Sequence, residues 1–238
     1  NMSKSIIDAK ALVEQFSAAS AKQGEALRKA VGEATLKGLQ GRELTLKNIK
    51  DVLKSVTAAA TKGAAANPAS AVDVEAMLTK AFVGMDAALL QAVEANRRAL
   101  GQLMQQGASL RDGPLKKALA DVEKMEDMMF ATIDKAVQGV PAPMQSAWSH
   151  VLDAGKAAGT GTGTKAAATV AQINEQARSA LLNLREGRAA GATAAQALLD
   201  SYGALASGVL IGMSDALQGI APVTPVAKAS TRPTRKKA

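Results

Sequence analysis

The chain has one histidine, His150, and no cysteine, so a histidine-centred triad or a nitrogen-ligated metal site would have to be built around one imidazole. Asp153 follows at a spacing that shares a helix face with it, and Ser146 and Ser149 are near in sequence. That proximity is ordinary on a helix and no oxyanion-hole pattern accompanies it, so His150 is expected at the surface or at a helix end. The run GTGTGTK invites comparison with a phosphate loop. A P-loop closes on Gly-Lys-Ser/Thr, whereas here Thr164 follows Gly163 and Ala166 follows Lys165. The dinucleotide pattern G-x-G-x-x-G also fails, because Thr164 stands where the third glycine belongs. The composition of 159–164 predicts a flexible linker. In DVEKMED, Glu123, Glu126 and Asp127 are interleaved with Lys124 as on a solvated face, not gathered as metal ligands. The residue chemistry therefore predicts no catalytic residue, no metal and no cofactor.

The informative spacings are helical. Period-2 alternation is absent, and apolar residues recur at three and four almost throughout, which predicts an all-α protein: an elongated antiparallel helical bundle or coiled-coil-like hairpins with a disordered basic tail. A basic N-terminal helical region covers 1–62, interrupted near Gly38 and Gly41, and Leu46, Ile49, Leu53 and Val56 mark its clearest stripe. Pro68 ends it, with Asn67 pushed out of helical backbone. A central hairpin covers 63–158. Its first helix is capped by Ser70 or Asp73 and striped by Val74, Leu78, Met85, Leu89, Val93, Asn96, Leu100 and Leu103. Its second begins near Pro114 and carries Leu115, Leu119, Val122, Met125, Met129 and Ile133, until GVPAP stops it and a short helix runs through Trp148 to about Ala158.

Beyond the linker, 165–220 is one long amphipathic helix or a hairpin, with Leu184, Leu198 and Leu205 on its stripe. Pro222, Pro225 and Pro233 exclude helix from 221–238. Within these helices the Met125, Met128, Met129 and Phe130 cluster suits core filling or an adaptable contact surface. Asn96 suits either a register-fixing buried amide or the solvent edge of its stripe. The pairs Gly187/Gly191 and Gly208/Gly212 suit close helix packing, local flexibility or a helix that forms only when docked.

Composition sets the energetics. The hydrophobic fraction is 47% but only 2% of residues are aromatic, and much of the apolar content is alanine, which buries little area per turn. A thin core follows, one that partner surfaces or identical chains would complete, so a homo-oligomer is expected. Charge is uneven: residues 1–62 hold 11 Lys and Arg against 6 Asp and Glu, 63–220 hold 13 against 15, and 221–238 hold 5 against 0. Basic ends flank a near-neutral middle, which fits an electrostatic anchor better than a basic groove. Asp8 and Glu14 interrupt what a signal peptide would keep apolar, and the uncharged run at 201–214 is too short to cross a bilayer. The expectation is a cytoplasmic chain without a transmembrane segment.

The segments RELTLKNI, GMDAALLQAVEANRRAL and LREGRAAGATAAQALLDSY resemble an uncharacterised proteobacterial helical family, a domain of unknown function, over most of residues 20–220. In general build the chain is also similar to phasins, cytoplasmic proteins that coat polyhydroxyalkanoate granules: an alanine-rich, cysteine-free helical body and a basic C-terminal end. Here that end is short, with Lys228, Arg232, Arg235, Lys236 and Lys237 in place of long Pro-Ala-Lys repeats. The phasin resemblance implies a non-enzymatic structural protein on a hydrophobic granule or lipid surface, with Leu89, Val93, Leu100, Met125, Met129, Ile133, Leu184, Leu198 and Leu205 as contact residues. The alternative is a helical oligomeric scaffold whose stripes are buried and whose basic ends bind nucleic acid, without sequence readout, or an acidic protein. The first reading requires exposed stripes, the second buried ones.

Overall fold

A computed structural model describes residues 7–40, 45–110 and 113–185. Leu198, Leu205, the two glycine pairs and the basic tail lie outside the described residues. Among those described, every regular element is helical: α1 (Ala9–Ala18), a 3₁₀ turn (Ala21–Gln23), α2 (Gly24–Leu39), α3 (Leu46–Ala66), α4 (Ala71–Gln105), α5 (Gly113–Glu123), α6 (Met125–Ala136), α7 (Ala142–Ala158) and α8 (Gly161–Arg185). The fold is all-α.

The breaks follow local chemistry. Asp8 caps α1 by accepting the Ala11 N–H at 3.2 Å, and the Gln23 side chain accepts the Ser20 N–H at 2.8 Å, so the first helical region is cut at 19–23 as well as after Leu39. Thr45 caps α3 and Ser70 caps α4, each accepting an N–H three residues on. Asn67 stands between them in extended backbone and its amide donates to the carbonyls of Phe16 and Ala19, tying the turn to the end of α1. At Lys124 the α5–α6 rod is interrupted, but the Lys124 and Met128 N–H groups still bond the carbonyls four residues back and the apolar stripe continues.

Segments alternate in direction. Thr57 on α3 meets Met85 and Asn67 meets Met77, so α3 and α4 are antiparallel. Along α4, Glu75 meets His150, Asp86 meets Gly161, Glu94 meets Lys165 and Arg97 meets Gln172, so α7 and then α8 run parallel to it. A main core extends from Ile7 to Ala166 and draws on all helices but α5's first turns, so the N-terminal region and the central hairpin share one interior. A smaller cluster joins Leu100, Leu103 and Met104 of α4, Leu115 and Leu119 of α5, and Ile173 of α8. Over its best window α4 reaches a mean hydropathy of 1.3, enough in length and composition to cross a membrane, but 56% of that window is buried by neighbouring helices, as befits a central rod.

An alanine-rich core works here because backbones come very close. A Cβ at Gly63 would lie 2.5 Å from the Val13 carbonyl oxygen, and one at Gly84 would lie 2.5 Å from the Arg28 carbonyl oxygen. These contacts set the α1–α3 and α2–α4 spacings. Trp148, fully buried, donates its indole N–H to Thr61 Oγ1 at 2.8 Å, and Thr61 passes its own hydrogen to the Thr57 carbonyl at 2.6 Å, so the largest core side chain carries no unpaired polar atom.

The Gly/Thr run is not a linker: Gly161 to Thr164 form the first turn of α8. The Asp86 carboxylate accepts the Gly161 and Thr162 N–H groups at 2.9 and 2.8 Å, and the Thr162 hydroxyl donates to the Asp86 carbonyl at 3.0 Å. Glu126 accepts the Thr160 N–H at 3.2 Å and also the Thr160 hydroxyl. Free N–H groups and a positive helix end are thus answered by two carboxylates from other helices. Glycine suits both positions, since a Cβ at 161 would meet Leu90 Cδ1 at 2.7 Å and one at 163 would displace the Glu126 carboxylate from its contacts. Composition predicted flexibility; the same small residues instead let α8 seat closely.

Further along, Glu94 binds Arg97 at 2.5 Å and Lys165 at 2.9 Å, and Arg97 donates to the Gln172 side chain at 3.1 Å. Hydrogen bonds from Arg97 and Lys165 outweigh the cost of burial and hold the Glu94 carboxyl at about 2 instead of the ordinary 4.5. A depressed folded-state value stabilises above the unfolded value and is lost as pH falls through the folded one.

Two outcomes are expected. Gly84→Ala should cost about 1–3 kcal/mol by overpacking, read as a Tm lower by about 2–10 °C, whereas Gly139→Ala, whose Cβ meets nothing within 4 Å, should melt like the wild type. Glu94→Gln should lower Tm by a constant amount above pH about 4.5, with the gap closing as pH falls to about 2; thermal melts across that range check it.

Candidate polyanion interface

The residues expected to form an apolar contact face lie inside. Leu89, Val93, Leu100, Met125, Met129 and Ile133 are all 0% exposed. The stripes of the described helices bury one another, because the glycine and alanine faces allow a close approach that side-chain volume alone would not have suggested. Met128 and Phe130 join them, so the methionine cluster fills core. Leu184 lies on α8 with its side chain not described, and Lys228, Arg232, Arg235, Lys236 and Lys237, with Leu198 and Leu205, lie outside the described residues. His150 is exposed and its Nδ1 lies 3.2 Å from the Glu75 carboxylate, a surface contact with α4 and not with Asp153. Among the described residues no three His, Asp or Glu side chains gather as metal ligands.

What the surface does present is charge. On α3 the buried face of Ile49, Val52, Leu53, Val56 and Ala60 leaves Lys47, Lys50, Lys54 and Lys62 on the opposite side, all exposed. Helical geometry places the four within an arc of about 120° and spreads them over about 22 Å. Among the described residues none of the four has a carboxylate within ion-pair distance, whereas Arg28, Lys80, Arg97, Arg98, Lys117, Lys165 and Arg178 each do. The difference lies in the sequence pattern. On α2, Lys29 and Lys37 alternate with Glu25 and Glu33 at four-residue spacing, so that face carries as many acids as lysines. On the outer arc of α3 the positions among the four lysines are the half-buried Asp51, four residues from Lys47, the exposed Ala58 and the buried Thr61, so four cations there face one acid.

The row is bordered by a hollow of 590 Å³ between α1 and α3, where Lys10 joins Lys62 over Val13, Ser55 and Ala58, with Glu14 also on its wall. No aromatic residue lies in this face, so it has charge and reach but no stacking platform. The net +5 of residues 1–62 pointed to the region; the individual lysines were findable from their spacing opposite the Ile49–Leu53–Val56 stripe.

Fold and surface together define an all-helical bundle with a closed apolar interior and an unpaired basic face. The chain belongs to a family of unknown function, DUF6781, whose model matches residues 2–219. No curated protein and no solved structure matches it.

Because the α3 lysines are exposed and have no ion-pair partner among the described residues, replacing Lys47, Lys50, Lys54 and Lys62 together by Gln should leave the folded state intact, with each change within about 0.5 kcal/mol. Circular dichroism and a thermal melt of the fourfold variant check this.

Proposed function

We propose that this protein is a non-enzymatic helical scaffold that docks the phosphate backbone of nucleic acid on the lysine face of α3, with the basic C-terminal residues as a second point of contact. The observation that carries the reading is the row of four exposed lysines with no ion-pair partner among the described residues. Within a fold that pairs most of its buried-edge charges, an unpaired row leaves its full field for an external anion. Lysines without aromatics make electrostatic contact and read no bases. Burial of the apolar stripes also favours this reading, since the closed bundle keeps them from a polymer or lipid surface.

Phasin-like association with a hydrophobic granule is the second reading. Its specific support is the exposure of Leu181 and Leu182, at 45% and 53%, near the end of α8.

The test measures binding of the full chain to a fluorescent DNA duplex, to polyglutamate and to polyhydroxybutyrate particles over a range of salt. DNA binding should weaken with salt, and the fourfold Lys→Gln variant should lose about 3–4 from the slope of log K against log salt, about 0.9 per phosphate contact. Unchanged DNA binding by that variant, or preference for polyglutamate, removes the nucleic-acid reading; salt-resistant binding to the particles alone establishes the granule one.

A further inference from the structure

The attachment of α8 differs in kind from that of the other helices. Its buried apolar side chains among the described residues are Ala166 and Ile173, with Val170 and Ala177 partly covered. Its other buried residues are threonines, Thr162 and Thr169, and Thr160 precedes it. What fixes it is polar: the Asp86 and Glu126 carboxylates on its first turn and the Glu94, Arg97, Lys165 and Gln172 chain further along. Buried polar atoms without a hydrogen-bond partner among the described residues are Oε1 of Gln176 on α8 itself and, on two helices that α8 packs against, both amide atoms of Asn96 on α4 and Oδ2 of Asp121 on α5. Asp121 Oδ2 has only Lys117 at 3.5 Å. No other part of the described interior carries such atoms. Unpaired buried groups favour an open state, in which water satisfies them, and so lower the cost of opening where they lie.

A pivot is present as well. Gly159, between α7 and α8, is exposed, has φ +75°, and has no atom within 4 Å of where a Cβ would stand. Few-residue pivots of this kind absorb backbone rotation in hinge motions. Beneath α8 lies the smaller apolar cluster of Leu100, Leu103, Met104, Leu115 and Leu119, which Ile173 caps.

We propose that α8 is a hinged strap, which turns about Gly159 and lifts from α4 and α5 as one unit while the main core stays packed, uncovering the apolar floor of Leu100, Leu103, Met104, Leu115 and Leu119. The strap supplies a stored hydrophobic face in a chain whose closed form buries its stripes. Its polar latches make lifting sensitive to ionic strength, because exchange of the carboxylate and ammonium contacts for water and salt is easier than exposure of the main core. The proposal does not depend on nucleic-acid binding.

Hydrogen exchange followed by mass spectrometry on the full chain tests it. Peptides within 161–177 should exchange together and at least about 10-fold faster than peptides within 77–93 of α4. Asp86→Asn with Glu126→Gln should widen that gap and raise binding of a hydrophobic dye. The chain has no cysteine, so Gly101→Cys with Gln176→Cys, joined by a short bis-maleimide where the end of the Gln176 side chain reaches Gly101, should slow exchange of 161–177 and abolish the dye signal. Loss of protection in 161–177 and 77–93 at one common rate, in the wild type or in the latch variant, would overturn the strap.

Discussion

Close approach of helix backbones is the constraint on which the structure depends. A face of alanine and glycine removes little area from water unless the neighbouring helix comes nearly into backbone contact, and Gly63 and Gly84 sit where it does. Once α1 lies against α3 and α2 against α4 at that spacing, the leucines, methionines and the few aromatics on the same faces become fully enclosed. Phe16 and Trp148 are both 0% exposed although aromatics are scarce. The core is narrow, and it closes without outside help over the described helices.

Polar groups are distributed with equal consequence. In the main core they are few and satisfied, as in the Trp148–Thr61–Thr57 chain. Along α8 they carry the attachment, and Asn96, Asp121 and Gln176 leave atoms unpaired. One bundle therefore contains a strongly apolar body and a polar seam, two regions whose stabilities respond differently to salt and acid.

The same division separates the functional readings. On the proposed nucleic-acid reading, a bundle that hides its stripes and exposes the α3 lysines engages other molecules through charge. A bundle with α8 raised would offer an apolar face instead. The two modes use different surfaces of one chain, the outer arc of α3 and the floor beneath α8, so neither requires the other to be absent.

Sequence alone determined the class of fold. The spacing of Val74, Leu78, Met85 and Leu89, the capping Ser70, the break at Asn67–Pro68 and the stop at Pro141–Pro143 are local signals, read within one turn or a few, and α4, the turn before it and the break between α6 and α7 stand where they put them. Membership of a family of unknown function was legible differently, from the resemblance of whole segments such as GMDAALLQAVEANRRAL. Tertiary structure decided the rest. GTGTGT looks identical as a linker and as a helix start until Asp86 and Glu126, distant in sequence, supply the carboxylates that cap it. Four lysines lie on α3 against two on α2, an excess the sequence shows, and the structure adds that the four are exposed with no carboxylate within ion-pair distance among the described residues. Whether a stripe such as Leu89–Val93–Leu100 is an inner or an outer face depends on how near a second helix can come. That distance is set by pairs of residues far apart in the chain, Gly84 with Arg28 and Gly63 with Val13, and no local pattern encodes it.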